Sequence, residues 1–313
     1  MMSSDELSSQ SRVHKVVHSS ALSWTTALSV PHAVAWHPVS PTHPHHLPNT
    51  AISLLLGELF GEESFPSEHE EEDVRWLRDV LGKPYMEWQG EVAAWAELQG
   101  RDSRYLHLSN THDGGAHIVL ATYAPELVGL GIDAVYLPRM CRPGKDKNYL
   151  LRFARQFMSE EEWNLVSAGS VTEAEADLRV RVAAHFSLME AASKACGTGL
   201  RIGGGIGRAT SLPKYALGVR SLDSPVELLF EQEATDRMTF LGATRYEAHW
   251  AADNEFLVSV VLFFAPRPPI LGEKPYLPPT SSPKVGGDPL KLGEKVCFPL
   301  TSPPNRGSSE AFH

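Results

Sequence analysis

The spacing of apolar side chains divides the chain into helical and extended stretches. Thr50–Phe60 (TAISLLLGELF) repeats apolar positions at helical intervals, and Glu72–Leu81 reads as a second helix stopping near Gly82-Lys83-Pro84. Three strands follow, Leu106–Ser109, Ala116–Tyr123 and Val128–Val135, with Gly114-Gly115 as the turn between the first two. The order then recurs. Asn148–Phe157 is amphipathic, Ser159 followed by Glu160, Glu161 and Glu162 has the form of a helix N-cap, and Arg179–Ala195 is a long helix. Tyr215–Val219, Val226–Glu231, Tyr246–Ala251 and Phe256–Phe264 read as a second sheet, its last strand densely apolar and aromatic.

Helices followed by a small sheet, occurring twice, predict an α+β fold of two similar halves meeting near Gly131. The expected organisation is a disordered tail over 1–20, a first half over 21–130, a second half over 131–265 and a disordered tail over 266–313. That last stretch holds eleven of the 23 prolines and little periodicity. Between His32 and His46, histidine and proline alternate irregularly, and proline excludes a regular helix. The spacing gives His32, His37, His43, His45 and His46 no common face, so a surface loop is expected there rather than a metal site. The run Gly203–Gly207 follows a helix instead of opening one after a strand, which suits a flexible loop better than a phosphate cradle.

Composition narrows the function classes. A hydrophobic content of 42% is that of a soluble globular protein, and no run approaches the roughly 18 apolar residues of a membrane span. Residues 1–10 carry Asp5 and Glu6 with no apolar core of a secretory signal, so a cytoplasmic protein is expected. Cys141, Cys196 and Cys297 lack CxxC spacing and argue against a disulfide framework or a cysteine zinc site. The formal charge of −10 disfavours nucleic acid as a partner. Its distribution is uneven: Glu62–Asp73 is acidic, whereas Arg139, Arg142, Lys145, Lys147, Arg152 and Arg155 form a basic stretch suited to a local anionic partner.

Candidate chemistry gathers in three segments: Leu108–Gly114 (LSNTHDG), Gly131–Val135 (GIDAV) and Phe186–Leu200 (FSLMEAASKACGTGL). Asp133 lies at or near a strand end, and Glu190 and Lys194, four apart on a helix, share a face. Carboxylates brought together from distant segments repel one another, and a divalent cation relieves that repulsion. Oxygen-only ligation suits Mg²⁺, which keeps several waters and bridges to substrate phosphates. A lysine beside such a site suits a pyrophosphate or a developing phosphate charge. By spacing alone, Glu190 and Lys194 are also compatible with a surface helix pair of no functional meaning.

The order and wording of these motifs resemble the 4'-phosphopantetheinyl transferase superfamily. Its pattern is G-K-P, a short strand with S-H, G-[IV]-D, then W-x-x-K-E-A-x-x-K-x-x-G-x-G-[LI]. Here these are Gly82-Lys83-Pro84, Thr111-His112, Gly131-Ile132-Asp133 and the Phe186–Leu200 run. The likeness covers about residues 75–220 and weakens toward 265. GIDAVYLPRM followed by RFARQFMSEEEW, and the ending KACGTGL, also look like the shorter holo-acyl-carrier-protein synthase type.

The resemblance implies two pseudo-symmetric α+β halves with a coenzyme A site between them, and a Mg²⁺-dependent transfer of 4'-phosphopantetheine from coenzyme A to a serine of an apo carrier protein, releasing 3',5'-ADP. Asp133 and Glu190 would be metal ligands, with Glu190 also accepting the serine proton. Lys194 would contact the phosphate being transferred, His112 the coenzyme A phosphates, and Lys83 the same cleft, with Arg75 and Arg78 as candidates for the 3'-phosphate. Arg139, Arg152 and Arg155 would meet an acidic helix of an acyl or peptidyl carrier protein, and a monomer is expected. The chain departs from the family at Phe186, where tryptophan is usual, and at Met189, where lysine is usual. Val135 stands where many members have a second acid, which nominates Asp113 as third metal ligand. The alternative reading is a catalytically degenerate member that binds coenzyme A or a carrier protein without transfer.

Overall fold

In the computed structural model the described residues are 28–38, 49–61, 73–78, 84–141, 146–201 and 211–266. All lie in one compact unit, Met1–Pro269; the second unit, Ile270–His313, lies outside the described residues. So do the expected tail over 1–20, nearly all of that over 266–313, the run Gly203–Gly207, and His43, His45 and His46.

The chain is mixed helix and sheet. Strand β1 (His32–Pro38), helix α1 (Asn49–Phe60), strands β2 (Val74–Arg78) and β3 (Pro84–Trp88) and helix α2 (Gly90–Leu98) precede the hairpin β4 (Leu106–Asp113) and β5 (Ala116–Tyr123). Strand β6 (Leu127–Tyr136) leads to helices α3 (Lys147–Phe157), α4 (Glu160–Gly169) and α5 (Glu175–Ala195). There follow short strands β7 (Leu200–Arg201) and β8 (Leu212–Pro213), strands β9 (Leu217–Ser221) and β10 (Glu227–Phe230), helix α6 (Gln232–Phe240), and strands β11 (Arg245–Ala252) and β12 (Phe256–Phe264). None of the described helices is long and apolar enough to cross a membrane.

Two three-stranded antiparallel sheets, β1-β5-β4 and β11-β12-β6, carry the core. Side chains alternate across each strand, so one residue in two faces each side. Leu130, Ile132 and Ala134 of β6, with Val258, Val260 and Leu262 of β12, pack against Val34, Ile118 and Leu120 of the first sheet. Ala33, Ala35, Val119 and Ala121 point the other way, onto Leu55 and Leu56 of α1. Val135, Leu257, Val261 and Phe263 face Leu188, Met189, Ala191 and Ala195 of α5. Covered on both faces, β12 is buried at every position, which is why it reads as an unbroken apolar run.

Two stretches differ from the expectation. The described part of Glu72–Leu81 does not form a helix. It is strand β2, paired with β3, where Val74 is buried and Arg75 exposed, an alternation of period two that the short apolar run concealed. His32–His46 is not a loop throughout, because His32–Pro38 pairs with β5 as an edge strand. Ala33, Val34 and Ala35 supply its buried positions, and proline is tolerated at the end of an edge strand. Helices α2 and α6 and strand β3 were not anticipated. Strand β6 pairs with β12 and not with the first sheet.

The β4–β5 turn and the α4 N-terminus follow the sequence signals. Gly114 and Gly115 both take positive φ, 56° and 82°, as a two-residue hairpin loop requires. Ser159 Oγ accepts from Glu162 N, and the Glu162 carboxylate accepts from Ser159 N at 2.9 Å, closing a capping box. Glu162 reaches further: it also accepts from Val219 N at 2.6 Å and lies 3.4 Å from His185 Nδ1, joining α4, β9 and α5. Burial pushes its carboxyl pKa up, but His185 and the Val219 and Ser159 donors outweigh burial and hold it below the ordinary value. A depressed carboxylate stabilises the fold above its ordinary pKa of 4.5, and that contribution is lost as the pH falls through the folded value.

Helix α5 lies very close to β6 because Gly129 and Gly131 leave room for it. A Cβ at Gly131 would stand 1.8 Å from the Ala191 carbonyl oxygen, and one at Gly129 would stand 2.5 Å from that of Ala195. Gly131→Ala is expected to lower the unfolding free energy by about 3 kcal/mol, since overpacking here meets backbone and not a mobile side chain. Glu162→Ala, which orphans the Val219 and Ser159 amides, is expected to cost about 3 kcal/mol. Denaturant unfolding of the two variants at neutral pH checks both values.

Candidate active site

The close approach of α5 to β6 brings Asp133, Glu190 and Lys194 together. Asp133 follows Gly131 by two residues and so shares its α5-facing row, while Glu190 and Lys194 flank Ala191 on the helix. Lys194 Nζ donates to Asp133 Oδ1 at 2.8 Å and to the Ile132 carbonyl at 2.8 Å. Thr111 Oγ1, from β4, donates to the same Oδ1 at 3.1 Å. Asp133 is only 7% exposed, and its Oδ2 is buried without a partner. Ser259, directly opposite Asp133 on β12, likewise has a buried and unpartnered Oγ.

Glu190 senses this surrounding. Burial, then the Asp133 charge, push its pKa up to about 7, against the opposing pull of Lys194. A carboxylate with that pKa is half ionised near neutrality and suited to taking up a proton. The two carboxylates, one with an orphaned buried oxygen, also fit a hard cation that takes its other ligands from water or substrate oxygens. Among the described residues no group of three His, Cys, Asp or Glu could hold a metal by itself.

Asp113 is not brought to this group. Its carboxylate accepts from Gly114 N and Tyr136 N, each at 2.8 Å, and pairs with Arg139 at 2.8 Å, so it anchors the hairpin turn to the end of β6. His112 is exposed on β4, its ring 6.4 Å from that of His117. Arg75 is exposed on β2, Arg78 closes that strand, and Lys83 lies outside the described residues. Arg152 and Arg155 are exposed on α3, the Arg155 guanidinium standing 4.5 Å over the Trp163 ring. Met189 and Val135 both belong to the buried core, which accounts for apolar residues at those places. Phe186 packs against Phe153 and Phe157, with ring centroids 5.5 and 5.4 Å away. A cavity of about 310 Å³ is lined by Val135, Arg139, Met140, Tyr149, Phe153, Ala183 and Phe186. It begins two residues beyond Asp133 on β6 and one helical turn before Glu190 on α5.

Thr111 and Ser259 escaped the sequence reading as site residues. The usable signal for Ser259 is a hydroxyl interrupting the apolar run FLVSVVLFF; for Thr111 it is only its place beside His112.

Residues 129–250, which carry Asp133, Glu190 and Lys194, match the family model described as ACPS, the 4'-phosphopantetheinyl transferase superfamily. The match covers 122 of the 313 residues, and over that segment the chain is similar to the superfamily. The matched segment runs from β6 to β11 and contains Asp133, Glu190 and Lys194, in a mixed α+β fold. No curated protein matches the chain. Among solved structures, a holo-(acyl-carrier-protein) synthase from Bacillus anthracis in complex with CoA (3',5'-ADP) is 24% identical, with a TM-score of 0.32, covering 45% of this chain and 98% of its own. The Neisseria meningitidis holo-[acyl-carrier-protein] synthase is 21% identical with a TM-score of 0.34, covering 44% and 98%. That from Helicobacter pylori, in complex with coenzyme A, is 22% identical with a TM-score of 0.30, covering 43% and 98%.

The raised pKa of Glu190 has a consequence for metal-free stability. Between the ordinary value of 4.5 and about 7 the folded protein keeps a proton that the unfolded chain releases, so stability falls as the pH rises through that window. Glu190→Gln is expected to remove this slope and, above pH 7, to be more stable than the wild type by on the order of 3 kcal/mol. Chemical denaturation of chelator-treated protein across pH 5–8 reads the difference.

Proposed function

We propose that the protein transfers the 4'-phosphopantetheine arm of coenzyme A to a serine of an acyl or peptidyl carrier protein, in a Mg²⁺-dependent reaction that releases 3',5'-ADP. The observation that carries this reading is the convergence of Asp133, Glu190 and Lys194 at the β6–α5 contact within the matched segment. In the reaction, the serine oxygen forms a bond to the phosphorus that bears the pantetheine arm, the bond from that phosphorus to the 3',5'-ADP oxygen breaks, and the serine proton passes to the Glu190 carboxylate. Glu190 is suited to that task because its pKa of about 7 leaves both protonation states accessible.

Asp133 and Glu190 are the residues that would hold the cation, which when bound neutralises charge on the pyrophosphate. Lys194 adds a positive group beside the transferred phosphate. His112, Lys83, Arg75 and Arg78 are assigned to the coenzyme A phosphates, in a site between the halves spanning 21–130 and 131–265. Arg139, Arg152 and Arg155 are assigned to an acidic carrier helix, and the exposure of all three supports this. A cytoplasmic monomer is the setting we assign to the reaction.

Mass spectrometry of apo carrier proteins incubated with coenzyme A, Mg²⁺ and the protein tests the reading: the wild type adds the arm, and Glu190→Gln adds none while keeping the wild-type circular dichroism spectrum. Coenzyme A binding without transfer would instead assign a degenerate binding role. Absence of coenzyme A binding would overturn the reading altogether.

A further inference from the structure

Strand β4 presents two hydroxyls to β6 on one face. Ser109 Oγ accepts from the Ile132 backbone N–H at 3.0 Å, and two residues later Thr111 Oγ1 donates to Asp133 Oδ1. Both side chains are buried, at 4% and 5% exposure, while His112 between Thr111 and the turn is exposed. The two carboxylate oxygens of Asp133 are treated differently. Oδ1 takes the Thr111 hydroxyl and the Lys194 ammonium; Oδ2 takes nothing, although it is buried. A buried carboxylate oxygen without a donor is costly, and a carboxylate free to rotate would share its donors between both oxygens. Lys194 is itself anchored by the Ile132 carbonyl of Asp133's own strand, so one donor to Oδ1 comes from β4 and the other, from α5, is fixed to β6.

From this asymmetry we infer that Thr111 is a positioning residue for the cation-binding carboxylate: with Lys194 it holds Oδ1 of Asp133, so that Oδ2 is the oxygen offered to the cation. The inference rests on the proposed Mg²⁺-dependent reading and adds a residue from outside the 129–250 segment to it. It also gives Lys194 a task before any phosphate arrives. Hydrogen bonds that orient a ligating carboxylate set its metal affinity, and their loss weakens binding by about 10–100-fold.

The test is Mn²⁺ binding to the metal-free full chain, without coenzyme A, by titration calorimetry. Thr111→Val keeps the shape and removes the donor, and is expected to weaken Mn²⁺ binding by about 10–100-fold. Thr111→Ser restores the donor and most of the affinity, an outcome that a merely structural role for the side chain would not give. If Thr111→Val fails to fold, Thr111→Ala takes its place in the same titration. Wild-type affinity in the variant lacking the hydroxyl, or failure of Thr111→Ser to restore binding, overturns the inference and leaves the proposed transfer standing where the wild type binds Mn²⁺ and modifies a carrier. A wild type that binds no Mn²⁺ overturns both the inference and the metal dependence.

Discussion

Helix α5 brings Glu190 and Lys194 to Asp133 only because it touches the backbone of β6. Helices ordinarily pack on sheets through a layer of side chains; here that layer is missing at Gly129 and Gly131, and the carbonyls of Ala191 and Ala195 fill the space where Cβ atoms would stand. The seam lowers the helix onto the strand, so side chains flanking Ala191 reach a strand residue two positions beyond Gly131. Small residues on both partners have a packing meaning, and through it they set the spacing of the charged groups. The spacing of Asp133, Glu190 and Lys194 is a consequence of contact between two backbones.

Such a contact needs support from behind. Strand β12 backs β6 along its length, buried on both faces, and the first sheet packs on the far side. At the other end of the helix layer, the Glu162 carboxylate accepts from the backbone of β9 and from its own helix N-terminus, with His185 of α5 alongside. One buried anion thus ties three elements, and donors on every side keep it charged. The cost of burying charge is met there by hydrogen bonds. At Glu190 it is not fully met, and the pKa rises.

The two carboxylates therefore show how environment divides roles. Both are acids in the α4–α5 region, yet one is pushed down by donors and one up by burial beside a second anion. Asp113 takes a third course, spending its oxygens on a turn, a strand amide and Arg139. Which carboxylate is held ionised and which is pushed toward its protonated form follows from the partners the fold supplies.

By itself the sequence determined the long helix bearing Glu190 and Lys194, the strand bearing Asp133, the glycine hairpin turn and the Ser159 cap, because periodicity, paired glycines and capping residues are local signals read over a few residues. The G-I-D and E-x-x-x-K motifs also made the partnership of those charges legible in order. Tertiary structure alone decided the rest. Residues 74–78 became a strand because β3 was there to pair with it, and β1 formed at a proline-rich stretch because β5 offered an open edge. Thr111 and Asp113 share one face of β4, yet Thr111 met Asp133 while Asp113 met the Tyr136 amide three residues further along β6, because where two strands cross is set only when distant segments come together.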